Sequence, residues 1–140
     1  MILIVGAAYL FLLIPLLRHE RARTLSAMGL SIVACGVLYW PVPYSTMKIL
    51  EGIFPLLWVG DAVIGGLAIT RWTPLPWPKI AGVAGLGFVT SVMARVIFDT
   101  FRDPESHNLF FLEVAMAFVV GFVGASIAAA MSGSAQARRP

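Results

Sequence analysis

The chain reads as an all-α, polytopic integral membrane protein, a bundle of about five transmembrane helices. Three observations carry that reading. Hydrophobic residues make up 59% of the 140 residues and charged residues only 12%, against about 25% charged in ordinary soluble domains. Mean hydropathy is +0.89, and a water-soluble globule of this length has too little interior to hide so much apolar surface. The apolar residues also gather into five long stretches, separated by short segments that hold most of the charges and prolines.

A spanning helix needs about 20 mostly apolar residues, with about 17 as the lower edge. Five stretches meet that requirement: 1–17, 24–40, 49–70, 80–98 and 109–131. Period-2 alternation is absent, which excludes a membrane barrel. The first span has no basic segment ahead of it, and Arg18, Arg21 and Arg23 follow it with no small-residue cleavage site between. It is therefore expected to be an uncleaved span rather than a signal peptide. The second span ends at Tyr39 and Trp40, aromatic residues suited to the headgroup level, and Pro41 and Pro43 then break the helix. It holds Cys35, the single cysteine, which cannot form an internal disulfide and reads as a small packed residue.

The third span carries Pro55, whose ring would collide with the carbonyl of Glu51, so a kink is expected there. Trp72 and Trp77, with Pro74, Pro76 and Pro78, flank the connection to the fourth span. A connection of about ten residues, 99–108, leads to the fifth. Residues 1–131 thus form one transmembrane domain, and 132–140 (SGSAQARRP) a flexible cytoplasmic tail.

Loop charge sets the expected orientation. Arg18, Arg21, Arg23, Arg71, Lys79, Arg138 and Arg139 fall on one side of a five-span chain, while the other holds Lys48 and Arg102 with Asp99, Asp103 and Glu105. Basic loops stay on the cytoplasmic side, which places the N-terminus outside and the C-terminus inside a bacterial-type inner membrane.

Several function classes drop out. No dense basic run interleaved with aromatics suggests nucleic acid, and there is no P-loop, dinucleotide fingerprint or zinc-protease motif. His19 and His107 fall in loops on opposite faces, so no transmembrane histidine pair could hold a haem. Asp99, Asp103, Glu105 and His107 lie close together in the outer connection, but their spacing fits no metal motif. Asp103-Pro104 reads instead as an N-cap followed by proline at the first helical position. No cofactor or metal is expected.

Ionisable residues inside the spans are the candidate functional groups, because a charge at the bilayer centre costs about 2.5–3.5 kcal/mol on insertion scales. Glu51, Arg95, Asp99 and Glu113 lie near the outer ends of spans three, four and five and are expected to form an outer-leaflet ionic cluster. That cluster is either a structural clamp or a substrate or ion site. Asp61 differs: it sits near the middle of span three, in WVGDAVIGG, with no basic residue expected at its depth. An acid alone there is expected to be neutral, the condition a proton- or cation-coupled site would use. Gly60, Gly65 and Gly66 would let a helix or water approach, and Thr90 and Ser91 are the candidate hydrogen-bond partners.

Small residues recur every fourth position along two spans: Gly87 and Ser91 before Arg95 and Asp99, and Ala117, Gly121 and Ala125 after Glu113. Such stripes allow backbones to approach closely, so spans four and five are expected to pack antiparallel through them. The remaining faces would meet lipid, a second copy or a larger membrane complex.

These features lead to one expectation and two rivals. The expectation is proton- or cation-linked passage of a small solute, with Asp61 as the titrating group. The first rival is a non-transporting accessory or assembly subunit. The second is a membrane enzyme acting at the outer face through Asp99, Asp103, Glu105 and His107.

Overall fold

The computed structural model describes residues 2–18, 20–42, 54–72, 75–103 and 110–136. Five helices occupy them, with no strand among the described residues: α1 (Ile2–Leu17), α2 (Arg21–Tyr39), α3 (Phe54–Trp72), α4 (Trp77–Arg102) and α5 (Phe110–Gln136). The apolar stretches thus became helices, and the architecture is a helical bundle. Within it, Arg21–Tyr39, Trp77–Arg102 and Phe111–Ser132 are long and apolar enough to cross a membrane.

The boundaries differ from expectation mainly by extension. Helix α4 gains a turn at each end, because Pro76 is extended and Pro78 stands in the first turn, where a missing N–H costs nothing. Helix α5 runs on to Gln136, into the segment expected to be a flexible tail, since the continuation Ser132–Gln136 holds no proline and its single glycine, Gly133, is tolerated within a helix. Pro55 stands in the first described turn of α3. Glu51 lies outside the described residues, and so does the expected kink between them.

Consecutive helices run in opposite directions. The α1–α2 reversal turns on Glu20, which adopts a left-handed conformation (φ 59°, ψ 46°) and is the one non-glycine residue with positive φ among the described residues. The Thr24 hydroxyl donates back to the Leu16 carbonyl at 3.4 Å, tying the two helices at that turn. This turn and the α3–α4 connection share one end of the bundle, so Arg18, Arg21, Arg23, Arg71 and Lys79 gather there. We call it the basic end. Asp99, Arg102, Asp103 and Glu113 lie toward the other.

Helix α4 is the axis of the bundle. Its buried residues run from Ile80 to Val96 on all sides, as expected for a helix surrounded by others. Helix α1 lies on its margin, where Leu16 covers Gly82 and the Tyr9 hydroxyl bonds Thr90 Oγ1 at 2.7 Å. The core has two parts. Toward the basic end, Ala27, Met28, Ile69, Leu75, Ile80 and Leu86 pack together. Toward the other, Cys35, Tyr39, Trp58, Phe88, Val92 and Ala117 do so. Large apolar side chains such as Phe11, Val37, Leu56, Val119 and Met131 point outward. That is a poor surface for water and a suitable one for hydrocarbon.

Candidate functional site

Close backbone approaches set the geometry. At the α4–α5 seam, a Cβ added at Gly121 would lie 2.9 Å from Phe88 Cδ1 and 3.1 Å from the Gly85 carbonyl oxygen. One added at Gly85 would meet the Phe122 ring at 3.0 Å. The antiparallel seam is therefore present, and Ala117, Gly121 and Ala125 are all buried in it or beside it. Its α4 side, however, is not the expected one. Gly87 and Ser91 face α2: a Cβ at Gly87 would lie 2.6 Å from Ser31 Cβ, and Trp40 Nε1 donates to the Ser91 carbonyl at 3.4 Å. Glycine and serine on one face of α4 admit α2, while Gly85 and Phe88 serve α5. Part of the α5 stripe is also shared with α3, since Gly66 abuts Ala128 and Ala125.

The expected ionic cluster forms in part. Arg95 is buried, 5% exposed, and its Nε donates to Asp99 Oδ2 at 3.2 Å, one turn on along α4. Its other nitrogens leave the helix. Nη1 donates to the Tyr39 carbonyl and Nη2 to the Val42 carbonyl, and the guanidinium lies 4.6 Å from the centre of the Tyr39 ring. Arg95 thus caps the C-terminus of α2, where carbonyls have no partner within the helix and carry partial negative charge. The register of the α4–α5 seam, carried toward their connection, sets Glu113 level with Arg95. Glu113 and Asp99 both act electrostatically on Tyr39. Glu51 lies outside the described residues, as do Glu105 and His107 of the outer connection.

Asp61 lies one turn before Gly65, whose added Cβ would meet Cys35 and Ser31, and so shares the α2-facing side of α3. It is 8% exposed. Cys35 Sγ donates to its backbone carbonyl at 3.7 Å, and its carboxylate is in electrostatic reach of both Cys35 and Tyr39. Neither Oδ1 nor Oδ2 accepts a hydrogen bond among the described residues. The expected partners are engaged elsewhere or turned away. Thr90 Oγ1 bonds Tyr9 and its own helix at Leu86, and Ser91 Oγ is buried at the α2 seam with no bond of its own. Both sit on faces of α4 turned toward α1 and α2, so neither reaches α3.

The residues around Asp61 were largely missed by sequence reasoning. Cys35 was read as packing only, and Ser31 and Trp58 were not singled out. Ser31 donates to the Ala84 carbonyl at 3.2 Å and lies 4.0 Å from Cys35 Sγ. Trp58 is 3% exposed and meets the rings of Tyr39 and Phe88 edge-on, at 5.9 and 5.7 Å. One signal did point to the Arg95 arrangement: Pro41 and Pro43 end α2 abruptly, leaving carbonyls that need donors at the depth of an arginine on another span.

No protein-family model, curated protein or solved structure matches the chain. The functional reading therefore rests on the site.

Proposed function

We propose that the chain is a small multi-pass membrane protein in which Asp61 carries a proton or small cation, linked to the passage of a small solute. The observation behind this is the Asp61 carboxylate, buried between α2 and α3 with neither oxygen hydrogen-bonded among the described residues. A bare carboxylate in such a place costs several kcal/mol, so the site favours a bound proton or cation. Intramembrane acids of this kind mark ion and proton pathways in membrane proteins. The remaining features of the proposal are five crossings, the basic end toward the cytoplasm, and a bacterial-type inner membrane. They are supported by the alternation of the helices and by the charge gathered at one end. Five helices enclose little volume, so a homo-oligomer is part of the proposal.

One observation favours the accessory-subunit reading. The three donor nitrogens of Arg95 are engaged by α2 and Asp99, so the ionic cluster serves helix assembly rather than solute binding. Flux measurements in proteoliposomes separate the two readings. The carrier reading requires pH-dependent flux that Asp61→Asn abolishes while the protein stays folded and Glu113→Gln retains flux. The accessory reading requires no flux from the wild type, and a partner retained on purification in mild detergent.

A further inference from the structure

We propose that Tyr39, held by Arg95, and Trp58, packed edge-on against Tyr39, form a gate over Asp61 that opens toward the Asp99 end of the bundle. The proposal rests on the reading of Asp61 as a site that exchanges a proton or cation with water.

Three levels stack along the bundle. Asp61 and Cys35 define the lowest, joined by the bond from Cys35 Sγ to the Asp61 carbonyl. Tyr39 is one turn beyond Cys35 on α2, about 6 Å higher, and Trp58 is three residues before Asp61 on α3, about 4.5 Å higher. Their rings meet edge-on at 5.9 Å, and both are almost fully buried. This aromatic pair is the second level. Arg95 and Asp99 form the third: the guanidinium lies over the Tyr39 ring and grips the α2 backbone at Tyr39 and Val42. A cation over an aromatic face is attracted by the ring quadrupole, so one side chain fixes both the ring and the helix end that bears it.

The two directions away from Asp61 are sealed differently. Toward the basic end the seal is helix against helix. A Cβ at Gly65 would lie 2.8 Å from Cys35 Sγ and 3.0 Å from Ser31 Oγ, and Gly87 has no room beside Ser31. Helices this close must part before anything passes. Toward the Asp99 end, among the described residues, Asp61 is covered by two large side chains, Tyr39 and Trp58, which open by rotamer change once the latch releases. Release requires Arg95 to leave the Tyr39 and Val42 carbonyls, while its Nε keeps the bond to Asp99 that already anchors it on α4.

The chain supplies its own reporter. Cys35 is the single cysteine, free and fully buried, beside Asp61 and beneath the aromatic pair. Reconstituted vesicles of defined orientation are exposed to a charged, membrane-impermeant methanethiosulfonate from one side at a time. Wild-type Cys35 is expected to react slowly from both sides. Tyr39→Ala and Arg95→Gln are expected to raise the rate from the Asp99 side by about tenfold or more, which corresponds to about 1.4 kcal/mol of gate closure. The basic side should not change. Tyr39→Phe keeps the ring and should stay protected. Side-selectivity separates an opened gate from a loosened fold, which exposes the thiol to both sides. No acceleration in Tyr39→Ala, or equal acceleration from both sides, overturns the proposal. The readout is thiol access rather than flux. Side-selective labelling in a protein without Asp61-dependent flux would therefore uphold the gate and reject the carrier reading.

Discussion

Replacing Gly87 by alanine tests one of the closest helix contacts in the bundle. The added Cβ would lie 2.6 Å from both Ser31 Cβ and Ser31 Oγ, and 3.3 Å from the Met28 carbonyl oxygen. Ordinary carbon–carbon contacts lie at about 3.5–4.0 Å, so α2 and α4 must separate by roughly 1 Å. The two Cβ atoms are fixed by their backbones, and no rotamer relieves the clash. The upper part of the usual overpacking cost of about 1–3 kcal/mol therefore applies. Alanine returns about 1 kcal/mol of helix propensity, leaving a net loss of about 2 kcal/mol. At about 2–4 °C per kcal/mol for chains somewhat longer than this one, the unfolding midpoint in detergent should fall by roughly 5 °C.

The assay uses a maleimide dye that fluoresces on reaction with Cys35, which is buried in the folded protein. The decisive variant is the double exchange Ser31→Gly with Gly87→Ala, which removes both clashing atoms of Ser31. It should be more stable than the sum of the two single changes predicts, by about 2 kcal/mol of coupling. A Gly87→Ala protein as stable as the wild type, or a double variant that is merely additive, would refute the α2–α4 contact.

Arg95→Met should destabilise the fold by about 2–4 kcal/mol, because it removes the buried guanidinium's bonds to the Tyr39 and Val42 carbonyls and its ion pair with Asp99; Arg95→Lys should recover only part, since an ammonium cannot reproduce the forked contacts. The same thermal assay reads both. Tyr9→Phe removes the bond to Thr90 and should cost about 0.6–1 kcal/mol, little enough to show that α1 docks mainly by packing; an unfolded product would contradict that. Gly29→Ala has nothing within 4 Å of the new methyl group, so helix propensity alone acts and the midpoint should rise by an amount equivalent to about 0.5–1 kcal/mol.

The bundle was legible in the sequence because the bilayer criterion is a length criterion, and five stretches met it. Helix ends were less legible, since α4 extends through Trp77 and Arg102, residues that the hydropathy reading placed in loops. The Arg95–Asp99 pair was visible as an i, i+4 spacing on one helix. Its capping of α2 was not, because the partners are backbone carbonyls and those have no sequence signature. Periodicity likewise showed that Gly87 and Ser91 share a face but not which neighbour meets it. Helix α4 touches every other helix, so its faces had several candidate partners. Asp61 could be identified by depth alone, whereas the lack of a hydrogen bond to its carboxylate among the described residues required knowing where Thr90 and Ser91 point.

Ser31 has one further consequence. Its side chain is wedged between Gly65 of α3 and Gly87 of α4, close to the midpoint of α2. A stiff rod pinned at its middle behaves as a lever on a fulcrum. If the Tyr39 tip swings away from the axis, the Arg21 tip swings toward it, over arms of about 12 and 15 Å. The two ends of α2 would then be mechanically opposed, so that loosening its packing at one end tightens it at the other without a second moving part.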